Sequence, residues 1–191
     1  MQLIGNATFF SKLEIKAILA FTSNDITRPH LSNVLIGPGL AVATDGHRLI
    51  KCELPTAEVA TSAAVVSAAA LEQAAKIVPK GGSVRVVVAG RSATVAVVAD
   101  ATEDAAPIVS FNALIDAVFP PFGQVIPGRP AKDADVARSV GVNASYLADI
   151  APVCKAAGVT GMTIHAPSDA LSPIRCDIGT DWIVVTMPMR I

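Results

Sequence analysis

One order of elements, a strand, a capped helix and then further strands, restarts twice along this chain, so any fold must house three copies of one unit. The first copy opens on Gln2 to Phe10, read as a single strand. Ser11 offers a helix N-cap, and Glu14 three residues on completes a capping box. A helix from Lys12 to about Thr22 follows. On it Lys12, Lys16, Ala20 and Ser23 share a polar stripe, while Leu13, Ile15, Ala17, Ile18, Leu19 and Phe21 cover the rest. Leu31 to Ile36, Leu40 to Thr44 and His47 to Leu54 are read as three more strands.

The second copy starts at Ala64-Val65-Val66, with Ser67 as N-cap of a helix over Ala68 to Val78. Val84 to Ala89 and Ala93 to Ala99 read as a hairpin across Gly90-Arg91, and Ala106 to Phe111 as a third strand. Between Phe119 and Pro130 four prolines and two glycines interrupt regular structure. Phe119, Phe122, Val125 and Ile126 are too apolar for a free linker there, so an ordered connector packed on the surface is expected. The third copy begins at Ala137 to Val142. Asn143 then caps a helix running to about Ala157, with Pro152 bending it. Met162 to Ala166, Ile174 to Asp177 and Trp182 to Met187 close the unit.

Composition narrows the function classes. The chain is 52% apolar and 16% charged, with a net charge of −1 from 15 basic and 16 acidic residues. Such a balance gives no overall attraction to nucleic acid, so any DNA contact needs basic residues gathered on one face. The longest apolar runs fall far below the ~20 residues of a membrane-crossing helix, and Met1 to Asn6 lacks the basic start of a signal peptide. No membrane role and a cytoplasmic location are the expectations. Cys52, Cys154 and Cys176 are widely spaced and odd in number, which reads as buried thiols rather than a zinc site or disulfide frame.

Asp45-Gly46, flanked by two alternating runs, is the strongest local hairpin signal. A tight two-residue turn is expected, with strands ending at Thr44 and restarting at His47. Thr44, His47, Arg48 and Leu49 then crowd one tip. On residue chemistry alone this cluster is a catalytic site, a metal site, a peptide pocket or simply a turn. Ser32, Asp45 and His47 are the residues a hydrolase would recruit, but no G-x-S-x-G accompanies them. No second His or Cys stands at ligand spacing from His47, so no metal or other cofactor is expected.

The stretch Ala43-Thr44-Asp45-Gly46-His47-Arg48-Leu49 and the ending Trp182-Ile183-Val184-Val185-Thr186-Met187-Pro188-Met189-Arg190-Ile191 together resemble the bacterial β sliding clamp, the DNA polymerase III β subunit. Arg28 to Leu35 and Phe119 to Pro127 fall in that family's order. The resemblance implies an α+β chain of DNA-clamp (processivity-fold) architecture, built from three β-α-β-β-β half-domain units. Residues 1–131 are similar to a complete middle domain, and residues 132–191 to the second half of the last domain. The family's first domain and half of its third are then unrepresented. A lone half exposes apolar sheet and helix faces, so pairing between chains is expected. Twelve halves make a family ring, which three per chain would supply as a tetramer. A dimer is the minimal solution.

The resemblance also implies a hydrophobic pocket for short linear peptides of a DNA polymerase and other clamp-binding proteins. Its wall carries over onto Leu31, Thr44, Gly46, His47, Arg48, Leu49, Pro120, Val125, Val185, Met187, Pro188, Met189 and Arg190. Gln124 stands where the family often has arginine. Met and Leu would supply an adaptable floor, and His47, Arg48 and Arg190 a polar rim. Lys12, Lys16, Arg28, Lys76, Lys80 and Lys155 are the candidates to face double-stranded DNA, contacting phosphates without reading sequence. Two functions follow: a non-catalytic processivity clamp, or a clamp-like peptide-binding adaptor or decoy that never encircles DNA.

Overall fold

A computed structural model describes residues 1–4, 6–54, 62–102, 104–131, 135–137 and 139–189. Two antiparallel sheets hold the strands. The first has five, in the order β1 (Gln2–Ile4), β2 (Ala7–Phe10), β7 (Ser83–Ala89), β8 (Ser92–Val98) and β9 (Pro107–Asn112). The second has eight: β10 (Leu114–Ile115), β6 (Ala64–Val66), β3 (Val34–Gly37), β4 (Leu40–Thr44), β5 (Arg48–Glu53), β13 (Trp182–Thr186), β12 (Ile174–Ile178) and β11 (Thr163–His165).

Four α-helices complete the fold among the described residues. Helix α1 (Lys12–Leu19) packs between α2 (Ala68–Ile77) and α4 (Ile150–Ala156), and α3 (Ala144–Ala148) precedes α4. The Ser11 capping box forms as read, with Ser11 Oγ accepting from the Glu14 amide at 3.3 Å and Glu14 Oε2 from the Ser11 amide at 2.6 Å. Phe10, Ile15, Phe21, Leu71, Val84, Val95, Ile50, Ile150 and Val184 join helices and both sheets in one buried core. None of the helices among the described residues is long and apolar enough to cross a membrane.

The third unit is not a separate piece. Its β13 pairs with β5 over five residues, from Trp182↔Cys52 to Thr186↔Arg48, so β11–β13 extend the sheet of the first unit. Burial on that side leaves the far end of the unit open, where Met162, Ile164 and Leu171 are exposed.

Several expected elements differ. Gln2 to Phe10 is a hairpin of β1 on β2 rather than one strand, pairing Gln2 with Phe9. Asn6 supplies the turn inside an otherwise apolar run. The helix expected over residues 144–157 is broken at Asp149 into α3 and α4. Pro152 has no N–H for the carbonyl of residue 148, and the break puts it in the first turn of α4, where no N–H is needed. Among the described residues, 137–142 form no strand, only a bridge between Gly141 and Met189.

The connector packs on the outer face of the eight-stranded sheet, as expected. Phe119 and Phe122 meet edge to face with centroids 6.3 Å apart, and with Ile126 they cover Val42, Leu49 and Val185. A 3₁₀ turn, Phe122–Val125, follows Pro120-Pro121.

Candidate functional site

The β4–β5 loop is wider than a two-residue turn. Its last pair is Thr44↔Leu49, and Gly46 has φ +93° while no residue other than glycine has positive φ among the described residues. A type I′ turn needs positive φ at both central positions, so Asp45 acts differently. Its carboxylate Oδ1 accepts from the amides of His47 and Arg48, each at 2.9 Å. Thr44 Oγ1 donates to the Arg48 carbonyl at 2.7 Å and accepts from the Gly46 amide at 3.1 Å. Short polar side chains thus brace the loop from within. They also commit the Asp45 carboxylate to backbone and to Arg48, away from any hydrolytic role with His47.

Beside this loop lies a cavity of about 330 Å³. Ten of the residues expected to form a pocket line it: Leu31, Thr44, Gly46, His47, Arg48, Leu49, Pro120, Val125, Val185 and Met187. Four distant stretches therefore converge, and the Met187 amide donates to the His47 carbonyl at 2.9 Å to tie two of them together. Leu49 and Val185 form a buried floor, while Val125 and Met187 stand partly exposed at the mouth. His30, Pro121 and Phe122 also line the cavity. Each is the sequence neighbour of a predicted residue or of Pro121, which is the signal that could have found them. Pro188 and Met189 run on past the cavity, Met189 donating to the Gly141 carbonyl at 2.8 Å. Arg190 lies outside the described residues.

Arg48 lines the cavity, and its guanidinium is also tied into the seam between the first and third units. Nε donates to Asp45 Oδ2 at 2.9 Å, one terminal nitrogen to Asp149, and the other to the Ala20 carbonyl at 2.8 Å. The rings of Phe21 and Tyr146 both contact it, with centroids 5.0 Å and 4.8 Å away.

The helix-layer cations separate into two groups. Lys12, Lys16 and Lys76 line a cleft between α1 and α2, and Lys76 pairs with Glu72 at 2.8 Å. Lys155 is exposed on α4, Lys80 is exposed beyond α2, and Arg28 pairs with Asp25 at 3.3 Å on the loop after α1. Burial pushes the Cys52 thiol up to about 12 and the Cys176 thiol up to about 11, so both are protonated at neutral pH and inert as nucleophiles.

A second polar cluster locks the connector to the third unit. Burial works against ionisation of Asp177, but donors from Arg175 Nε (2.7 Å), Arg129 Nε (2.6 Å) and His165 (3.0 Å) outweigh it and hold its carboxyl below the ordinary 3.8. Arg175 also donates to the Pro127 carbonyl at 2.9 Å. A carboxyl depressed on folding contributes stability that is complete above its unfolded pKa and lost as pH falls through the folded value. Wild-type protein is therefore expected to lose stability below about pH 4 more steeply than Asp177→Asn. Urea midpoints measured from pH 6 to pH 3 check this, and parallel curves would refute it.

No protein-family model matches the sequence, and no curated protein matches it. Solved structures do. The DNA polymerase sliding clamp of Bacillus subtilis superposes with a TM-score of 0.69 at 14% identity, over 100% of this chain and 66% of that one. DNA polymerase III subunit beta of Pseudomonas aeruginosa gives 0.66 at 18%, over 97% and 66%. The DnaN sliding clamp of Bartonella birtlesii, bound to griselimycin, gives 0.62 at 18%, over 100% and 68%. The chain spans about two thirds of the length of these clamps. With its mixed helices, two antiparallel sheets and full-length superposition, the chain has the fold of the bacterial DNA polymerase III β sliding clamps.

Proposed function

We propose that the chain is a non-catalytic, clamp-type platform that holds a DNA polymerase, or another replication or repair protein, by a short linear segment in the pocket. The observation carrying this reading is the cavity itself: apolar, open, and walled by the β4–β5 loop, the connector and the end of β13 together. A concave apolar site with few polar groups suits a Leu or Phe anchor, and one buried anchor supplies much of the energy of such contacts. The whole wall expected from sequence, Pro188, Met189 and Arg190 included, belongs to this proposal.

On this reading residues 1–131 serve as a complete clamp domain and 132–191 as a half domain, within a cytoplasmic homo-oligomer, a dimer or a four-copy ring. The exposed edge strands support assembly, since β9 presents Ile108 and Val109 and β11 presents Ile164 to a neighbour. Lys12, Lys16, Arg28, Lys76, Lys80 and Lys155 would meet duplex phosphates without sequence preference. A second reading, an adaptor that never encircles DNA, draws on the net charge of −1 and on the pairing of Lys76 and Arg28 with acidic neighbours.

Fluorescence anisotropy with a labelled peptide carrying an adjacent Leu-Phe pair tests the pocket. Saturable micromolar binding, competed by unlabelled peptide, is expected, and no binding up to millimolar peptide would remove both readings. Retention on circular but not linearised DNA separates the ring from the adaptor.

A further inference from the structure

We infer that Tyr146 and Asp149 are positioning residues of the pocket, acting on it through Arg48. The inference rests on the pocket being a peptide site. Neither residue lines the cavity. Tyr146 lies on α3, and Asp149 sits at the break before α4.

The link runs through one guanidinium. Arg48 is nearly buried, its side chain 12% exposed. The plane of its fork is set by donors to Asp45, Asp149 and the Ala20 carbonyl, and by aromatic rings at 5.0 Å and 4.8 Å. A planar fork held at so many points has one orientation. Its own backbone is then fixed too, and that backbone carries the loop. The Arg48 amide donates to Asp45 Oδ1, and the Arg48 carbonyl accepts from Thr44 Oγ1 and, at 3.3 Å, from the Asp45 amide. Gly46 and His47, which line the cavity, hang between these bonds, and Met187 is tied to the His47 carbonyl. The third unit thus reaches the pocket twice: directly through Val185 and Met187, and indirectly through Tyr146 and Asp149.

The consequence is preorganisation. Removing the Tyr146 ring takes away one of the two aromatic contacts of the guanidinium and loosens its rotamers. The loop must then be ordered when a peptide binds, and that cost appears as lost affinity. Phe21 supplies the other aromatic contact but is fully buried in the core, so changing it damages the fold. Tyr146 is half-buried and the Asp149 side chain is 40% exposed, which makes both accessible to substitution.

The test uses the full chain and the Leu-Phe peptide. Tyr146→Leu is expected to bind about tenfold more weakly, the scale of a desolvated cation–π contact. Tyr146→Phe keeps the ring face and should bind as wild type. Asp149→Asn should weaken binding about threefold, the scale of a partly exposed ion pair. In the free protein, the Gly46 and His47 amide resonances should broaden in Tyr146→Leu and stay sharp in Tyr146→Phe. A folded Tyr146→Leu with wild-type affinity and sharp loop amides overturns the inference, as does a Tyr146→Phe that binds as weakly as Tyr146→Leu. If Tyr146→Leu does not fold, Asp149→Asn decides, and wild-type affinity there overturns it. Absence of peptide binding by the wild type would instead refute the peptide reading, leaving the loop amides to report on the linkage alone.

Discussion

Met187→Asp is expected to lower affinity for a Leu-Phe peptide by at least about 100-fold, or ~2.7 kcal/mol, while leaving the fold intact. Met187 stands at the mouth of the cavity, 39% exposed, beyond the last residue of β13. A carboxylate there stays hydrated in the free protein but must be stripped of water when an apolar anchor seats against it. Its backbone bond to the His47 carbonyl does not depend on the side chain. Titration by anisotropy, with a thermal melt to establish folding, reads both halves of the expectation. Affinity within threefold of wild type would show that the anchor does not lie here. Leu49→Asp is not an equivalent experiment. Leu49 is 3% exposed within the cluster of Val42 and Val185, so a charge there attacks the sheet itself.

Ile50→Ala is expected to cost about 3–4 kcal/mol, a large part of the 5–15 kcal/mol that holds a typical domain folded. Ile50 is fully buried on the helix-facing side of β5, between Ala43 of β4 and Val184 of β13. Truncation leaves a void where two ladders meet, and strands hydrogen-bonded on both sides cannot collapse freely into it. Ile50→Val, losing one methylene, should cost about 1 kcal/mol. Urea denaturation should show shifted midpoints with an unchanged slope. A loss under about 1 kcal/mol for Ile50→Ala would mean that the third unit unfolds independently of the first.

Local chemistry was readable and long-range pairing was not. Ser11 and Ser67 announce their helices because a cap acts within four residues, and both cap as expected. The strands at Leu40–Thr44 and Ala64–Val66 stand where they were expected. The turn at Asn6 stayed hidden because apolar residues flank it on both sides, and a hairpin of two short strands has the same alternation as one longer strand. Pro152 signalled a disturbance, but only the structure shows that the chain breaks at Asp149 and spends that carboxylate on Arg48. A guanidinium in a polar cluster reads as a rim group. Its partners Ala20, Phe21, Tyr146 and Asp149 come from the end of α1 and from α3 and its C-cap, tens of residues away. For the same reason the cavity lining was legible through resemblance, whereas the bracing behind it was not.

The pairing of β5 with β13 also sets an order of events in time. Trp182 and Cys52 are partners about 130 residues apart, so this ladder closes a long loop, and long-range pairings of this kind form slowly. During synthesis the β4–β5 tip and the connector leave the ribosome well before Val185 and Met187. Until those residues arrive, the cavity lacks one wall. A chain that stops short of β13 therefore lacks the finished cavity, and the peptide binding proposed above is expected only once the chain has been made and folded through β13.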